Sequence, residues 1–136
     1  MLVLHPTDVS LLGAPLPGVE SIAVSRAATK FIAERTDAGP HPVFADAPEQ
    51  AVEIAIVRTL DGPQPPGPQP GQQGTLVFTG ALSGADGPAR RVSATVVVRA
   101  ARIELSRAKG AAQRIELLAL STTGAADPVT IQEAHP

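Results

Sequence analysis

Cysteine, tryptophan and tyrosine are absent from this chain, and its aromatic content is three Phe. Without Cys there is no disulfide, no thiolate metal site and no Cys nucleophile. Without Trp or Tyr, a sugar cleft or a base-stacking platform lacks its usual walls. The three His, at positions 5, 41 and 135, stand far apart in loop or tail sequence. A zinc site needs three or four convergent ligands, usually with close pair spacings, so no metal is expected. No Gly-x-Ser-x-Gly elbow occurs, and a trio such as a Ser with His41 and Asp37 or Asp46 arises by chance in any chain of this size. Glu53, Glu104 and Glu116 sit between apolar neighbours and read as the polar face of a sheet or a wet interface. The Gly-rich stretches do not open a helix and lack the phosphate-loop lysine, so no cofactor is implied.

Long apolar runs are missing too. Nothing approaches the ~20 residues of a membrane helix, so no membrane anchor is expected. Met1 to Pro6 has neither the basic start nor the apolar stretch of a secretory signal, which points to a product made in the cytoplasm. The formal net charge is −2 and the pI about 5.9, unlike a strongly basic nucleic-acid binder. The main cationic concentration is Arg90, Arg91, Arg99, Arg102, Arg107, Lys109 and Arg114. No aromatic residues interleave with it, and it reads as solvated strand edges and hairpin tips.

What is present is alternation. Leu76, Phe78, Gly80 and Leu82 point one way, and Thr75, Val77, Thr79 and Ala81 the other. The same period of two recurs over Val19 to Ala27, Ala51 to Leu60, Val92 to Arg99 and Arg114 to Ser121. Successive side chains on a strand point to opposite faces, so these are strands. Thr7 to Leu12 is a shorter one, and Thr29 to Thr36 reads as an extended or paired segment. Turns fall at Gly13 to Gly18, Asp37 to Pro42, Gly84 to Pro88, Lys109-Gly110 and Thr123 to Pro128. Asp46-Ala47-Pro48-Glu49 has the form of a helix start, yet the following Val52, Ile54 and Ile56 alternate as a strand.

The expected fold is all-β: a small sandwich or barrel of about six to eight antiparallel strands with at most one short helix. A chain of 136 residues makes one domain, residues 1–136. It carries a Pro/Gly/Gln-rich loop at 61–73 and a C-terminal tail at 122–136. Proline fixes φ and removes donors, so the 61–73 segment reads as a stiff, solvated connection. With few aromatics the core must be aliphatic and thin, and assembly could supply the missing burial.

The order of segments resembles that of phage tail tube proteins and their injection-system relatives. The resemblance runs from about Val9 to Ser121. It rests on Gly18-Val19-Glu20-Ser21-Ile22-Ala23-Val24-Ser25 and on the loop ending Gly39-Pro40-His41-Pro42-Val43-Phe44-Ala45-Asp46. It continues through Pro48 to Ile56, the strand Gly74 to Leu82 and a last long hairpin ending Arg114 to Ser121. The resemblance implies hexameric rings whose inner wall is a ring-wide β-barrel, stacked into a conduit for DNA. It implies a virion location in the phage tail. The implied partners are a tape measure protein, baseplate and tail terminator proteins, and in contractile tails a sheath protein, with DNA only in transit. It implies that the loop Ala28 to Glu49 clasps and stacks on neighbours, through Thr29, Phe31, His41, Val43 and Phe44. Small residues for a lumen wall are Ser21, Ala23, Ser25, Thr75, Thr79, Ser93 and Thr95. Tube subunits usually carry an outer helix between the middle strands, where this chain has its Pro-rich run. A tube-end or baseplate component of the same fold is therefore an alternative. A stand-alone β-sandwich binding module or a capsid decoration protein is a third reading, and an enzyme lacks a constellation.

Overall fold

A computed structural model describes residues 1–60, 67–81, 88–107 and 110–133. The chain forms β1 (Leu2–Leu4), β2 (Thr7–Leu11), β3 (Ala14–Pro15), β4 (Val19–Arg35), β5 (Pro42–Leu60), β6 (Gln73–Ala81), β7 (Ala89–Ser106), β8 (Gly110–Leu120) and β9 (Val129–Glu133). The fold is all-β, and no helix occurs among the described residues. The strand count exceeds the expected six to eight because short β1, β3 and β9 join the sheet. The closing segment, expected as a tail, carries β9. The possible helix start at Asp46 to Glu49 is strand, within β5. Leu82, the tip residue Lys109, His135 and residues 61–66 of the Pro-rich loop lie outside the described residues.

All strands belong to one antiparallel sheet in the order β1-β4-β5-β8-β7-β6-β2-β3, with β9 on β7. The path ends at β1 on one side and at the β2–β3 hairpin on the other, and β2 follows β1 directly in the chain. β1 pairs with β4, and β2, two residues later, pairs with β6. His5 and Asp8 take positive φ of 51° and 52° at this crossing, and a register shift marks the bend in β2. The N-terminal segment thus bridges both ends of the sheet and curls it round. Gly80 permits the meeting of β1 and β6, since a Cβ there would fall 2.4 Å from Val3 Cγ1.

Curling is what the alternation requires. One face of a single sheet is apolar and has no second layer to cover it, so it must close on itself. Ile22 and Val24 pair with Ile56 and Ile54, and these with Ile115 and Leu117. Val92, Val96, Val98, Leu76 and Phe78 complete the same cluster, all at or below 5 % exposure with Ile22 and Val24. At one end Arg58 and Gln113, paired in register, are the buried polar residues. Burial pulls the Arg58 guanidinium below its ordinary pKa, although arginine stays protonated.

Gly18 holds the turn into β4. Its φ is +75°, and an added Cβ would lie 2.5 Å from the Thr59 carbonyl oxygen. Gly18→Ala is expected to cost about 1–3 kcal/mol, from the left-handed backbone and the backbone clash. A urea midpoint equal to the unsubstituted protein's would refute that assignment.

Candidate assembly surface

The longest strands outrun the core. β4 spans 17 residues and β5 19. Their inner halves pack, but from Ser25 to Arg35 every β4 residue is exposed, and from Pro42 to Gln50 all but Ala47 are. The two strands stay paired almost to the tip, from Ser25↔Glu53 to Arg35↔Pro42. The result is a two-stranded arm projecting from one end of the curled sheet. Register shifts at Ala28/Lys30 and Lys30/Ile32 kink it. Pro48 sits at this irregularity, where its missing N–H removes no regular ladder bond. Arg35 Nε donates to the Pro40 carbonyl at 3.0 Å and closes the tip.

The segment expected to stack lies on this arm. Thr29 and Phe31 are on β4, Val43 and Phe44 on β5, and His41 is in the turn. Phe31 and Val43 are 65 % and 66 % exposed, Phe44 53 % and Ile32 41 %. The expected loop is instead a ribbon of paired strands. A two-stranded ribbon of this kind is marginal alone in water. Four large apolar residues exposed on one ribbon make it the candidate interaction surface.

The base of the arm is tied down. Arg26 Nη1 donates to Asp127 Oδ1 at 3.0 Å, joining β4 to the turn before β9. The Val129 N–H donates to the same oxygen at 3.0 Å. The Val129 hydrogen bond and then Arg26 lower the Asp127 pKa. The folded carboxyl is more acidic than the unfolded one, so its stabilisation is complete above the unfolded value of about 3.9 and disappears as pH falls through the folded value. Asp127→Asn is therefore expected to lower the melting temperature slightly at pH 7. The gap should close as pH falls below the folded carboxyl's own lowered value, where both proteins carry a neutral group. A gap independent of pH would remove the ionised carboxylate from the account.

The seven candidate lumen residues all lie on the face away from the core. Ser21, Ala23 and Ser25 pair with Val57, Ala55 and Glu53. Thr75 pairs with Thr95, Val77 with Ser93, and Thr79 with Arg91. They fall into two groups, one on β4 and one on β6–β7. Exposed Leu2 and Leu4 flank the first group, opposite Ala23 and Ser21. Between the groups runs a charged band that single-residue reasoning missed. Arg99 pairs with Glu53, and Arg114 Nε lies 3.4 Å and Arg102 Nη1 4.0 Å from Glu116 Oε1. On the sequence alone, Glu53, Glu104 and Glu116 read as a polar face or a wet interface and the arginines as strand edges and hairpin tips; their pairing depends on strand order, which a local pattern does not carry. Arg90 meets Glu133 at 2.9 Å, so much of the cationic concentration is matched by carboxylates. Each exposed pair contributes about 0.2–1 kcal/mol.

Sequence reasoning also missed the exposure of Ile103 and Leu105, at 61 % and 83 %. They continue the core-face alternation of β7 beyond the point where other strands cover it. Among the described residues no group of three or more His, Asp or Glu could hold a metal ion. No protein-family model and no curated protein matches the chain.

Proposed function

We propose that this chain is the structural subunit of a phage tail tube, stacking as hexameric rings into a conduit for DNA. The observation that carries the proposal is the β4–β5 arm, whose exposed Phe31, Ile32, Val43 and Phe44 fall within the segment that the resemblance assigns to stacking. The rest of the architecture is compatible. A continuous sheet with unpaired edges gains by joining other copies. An ion-paired outer band would let a polyanion pass without the counterion release that makes DNA stick to unpaired cations. The implied partners are other copies of the chain, a tape measure protein, and the baseplate and terminator proteins at the tube ends. The function is passive and needs no catalytic group or cofactor. One observation favours the second reading, a tube-end or baseplate component of the same fold. The outer helix usual in tube subunits has no counterpart among the described residues.

Negative-stain electron microscopy of the purified protein, at low and high concentration, tests the reading. Hollow tubes or stacked rings with a lumen of nucleic-acid width are expected. Single rings that never stack would favour the tube-end reading. Featureless small particles at every concentration would overturn both and favour a binding or decoration module.

A further inference from the structure

Three long edges of the sheet have no strand partner among the described residues: the far side of β5 from Pro42 to Val52, and two whose side chains match one another. β4 beyond Val24 pairs only with β5, because β1 stops at Ala23 and Met1 at Val24. β7 beyond Val98 pairs only with β8, because β6 stops at Val97 and Gln72 and Gly71 bond Val98. These two edges lie at opposite ends of the molecule. The β4 edge belongs to the arm. The β7 edge lies near Leu105, which pairs with Ala111, and Ala111 pairs with Leu60 at the far end of β5. They also face opposite ways across the sheet, since β4 turns its open side away from β5 and β7 away from β8. The path β4-β5-β8-β7 reverses direction at every step, so β4 and β7 run antiparallel. A second copy displaced along and across the strands, without being turned over, therefore brings the two edges together as neighbours.

We propose that the β4 edge of one copy, Ser25–Arg35, pairs antiparallel with the β7 edge, Arg99–Ser106, of a second copy. The inference rests on the self-assembly reading above and assigns the arm its receiving surface. The side chains select a register. Setting Phe31 opposite Leu105 sets Ala33 opposite Ile103 and Glu34 opposite Arg102, and brings Asp37 level with Arg99. Moving the ladder by two residues one way puts Glu34 against Glu104. Moving it the other way puts Arg35 against Arg99. Like charges directly opposite destabilise a sheet pair, and opposite charges and large apolar pairs stabilise it. The contact joins two different surfaces, so it propagates from copy to copy instead of closing a two-fold dimer.

The register also fixes a length. Ala33 is level with Ala45, and Ile103, through Gln113, is level with Arg58. Thirteen residues of β5 separate those levels, about 43 Å along the strands. With the strand tilt usual in barrels, the axial repeat would be roughly 30–35 Å.

The chain has no native Cys, which makes cross-linking clean. Ala33→Cys combined with Ile103→Cys, oxidised under assembly conditions, is expected to shift most of the protein into a ladder above dimer on non-reducing gels. Each single variant should stay monomeric on the same gels, because its cysteine meets no other across the contact, and Ala33→Cys with Arg99→Cys, four residues out of register, should give no ladder. Micrographs of the same samples separate the two levels of inference. Tubes without a ladder overturn the edge pairing and leave self-assembly standing. Small particles without a ladder overturn both. Efficient dimers from either single variant would show a two-fold contact and overturn the head-to-tail geometry.

Discussion

Phe78→Ala is expected to lower the unfolding free energy by about 3–5 kcal/mol, the range for deleting a buried Phe ring. Phe78 is fully buried on β6, and no other aromatic side chain reaches the core. Its neighbours are Val, Ile, Leu and Ala, held on strands whose backbones are fixed by ladders on both sides. Such walls relax little into a cavity, which places the expected loss at the upper part of the range. A domain of this size has about 5–15 kcal/mol in total. The variant should therefore lose a third or more of its stability in a urea titration with an unchanged m-value. A loss below about 1 kcal/mol would mean that the cluster repacks and that Phe78 is not its centre.

The core was legible because burial writes itself into the sequence. Where a strand has one dry and one wet face, apolar residues alternate, and Val19 to Ala27, Ala51 to Leu60 and Val92 to Arg99 could be read directly. The arm was only half legible: Thr29 to Thr36 read as extended or paired, and β4 runs to Arg35 paired with β5, but the outer half of β5 did not show itself. Both faces of the outer half of β5 are wet, so no alternation marks Pro42 to Gln50 as strand. Pro42 and Pro48 also argue locally against a strand, yet one begins β5 and the other occupies a register irregularity at an unpaired edge. The apolar pair Val43 and Phe44 did single the segment out in the sequence, and both side chains are exposed. Closure of the sheet was not legible either. It depends on β1 and β2 pairing with opposite ends of the path, and pairing between distant strands leaves no trace in local pattern. Ile103 and Leu105 show the converse error. They alternate as core residues should, but whether a core-face residue is covered depends on how far its neighbours extend.

Phe31→Asp combined with Phe44→Asp is expected to abolish assembly while leaving the subunit folded. The two rings are 65 % and 53 % exposed in the isolated subunit, so they contribute little to its own stability, and surface changes of this kind stay within about 0.5 kcal/mol. Covering a Phe ring at a contact is favourable by about 1.5–3 kcal/mol, so losing two forfeits at least about 3 kcal/mol per joint before any desolvation of the new carboxylates. Each 1.4 kcal/mol is tenfold in affinity, so the concentration at which polymer appears should rise at least about 100-fold. Sedimentation velocity across a concentration series measures that onset, and a melting curve on the same sample reports the fold. Polymer appearing at an unchanged concentration would sink the arm as the joint. Loss of the fold along with the polymer would mean that the arm belongs to the core's stability after all. The sharp separation expected between the two readouts follows from the geometry. The curled sheet buries its own apolar face, and the arm lies beyond the end of that face, where no described residue covers its rings.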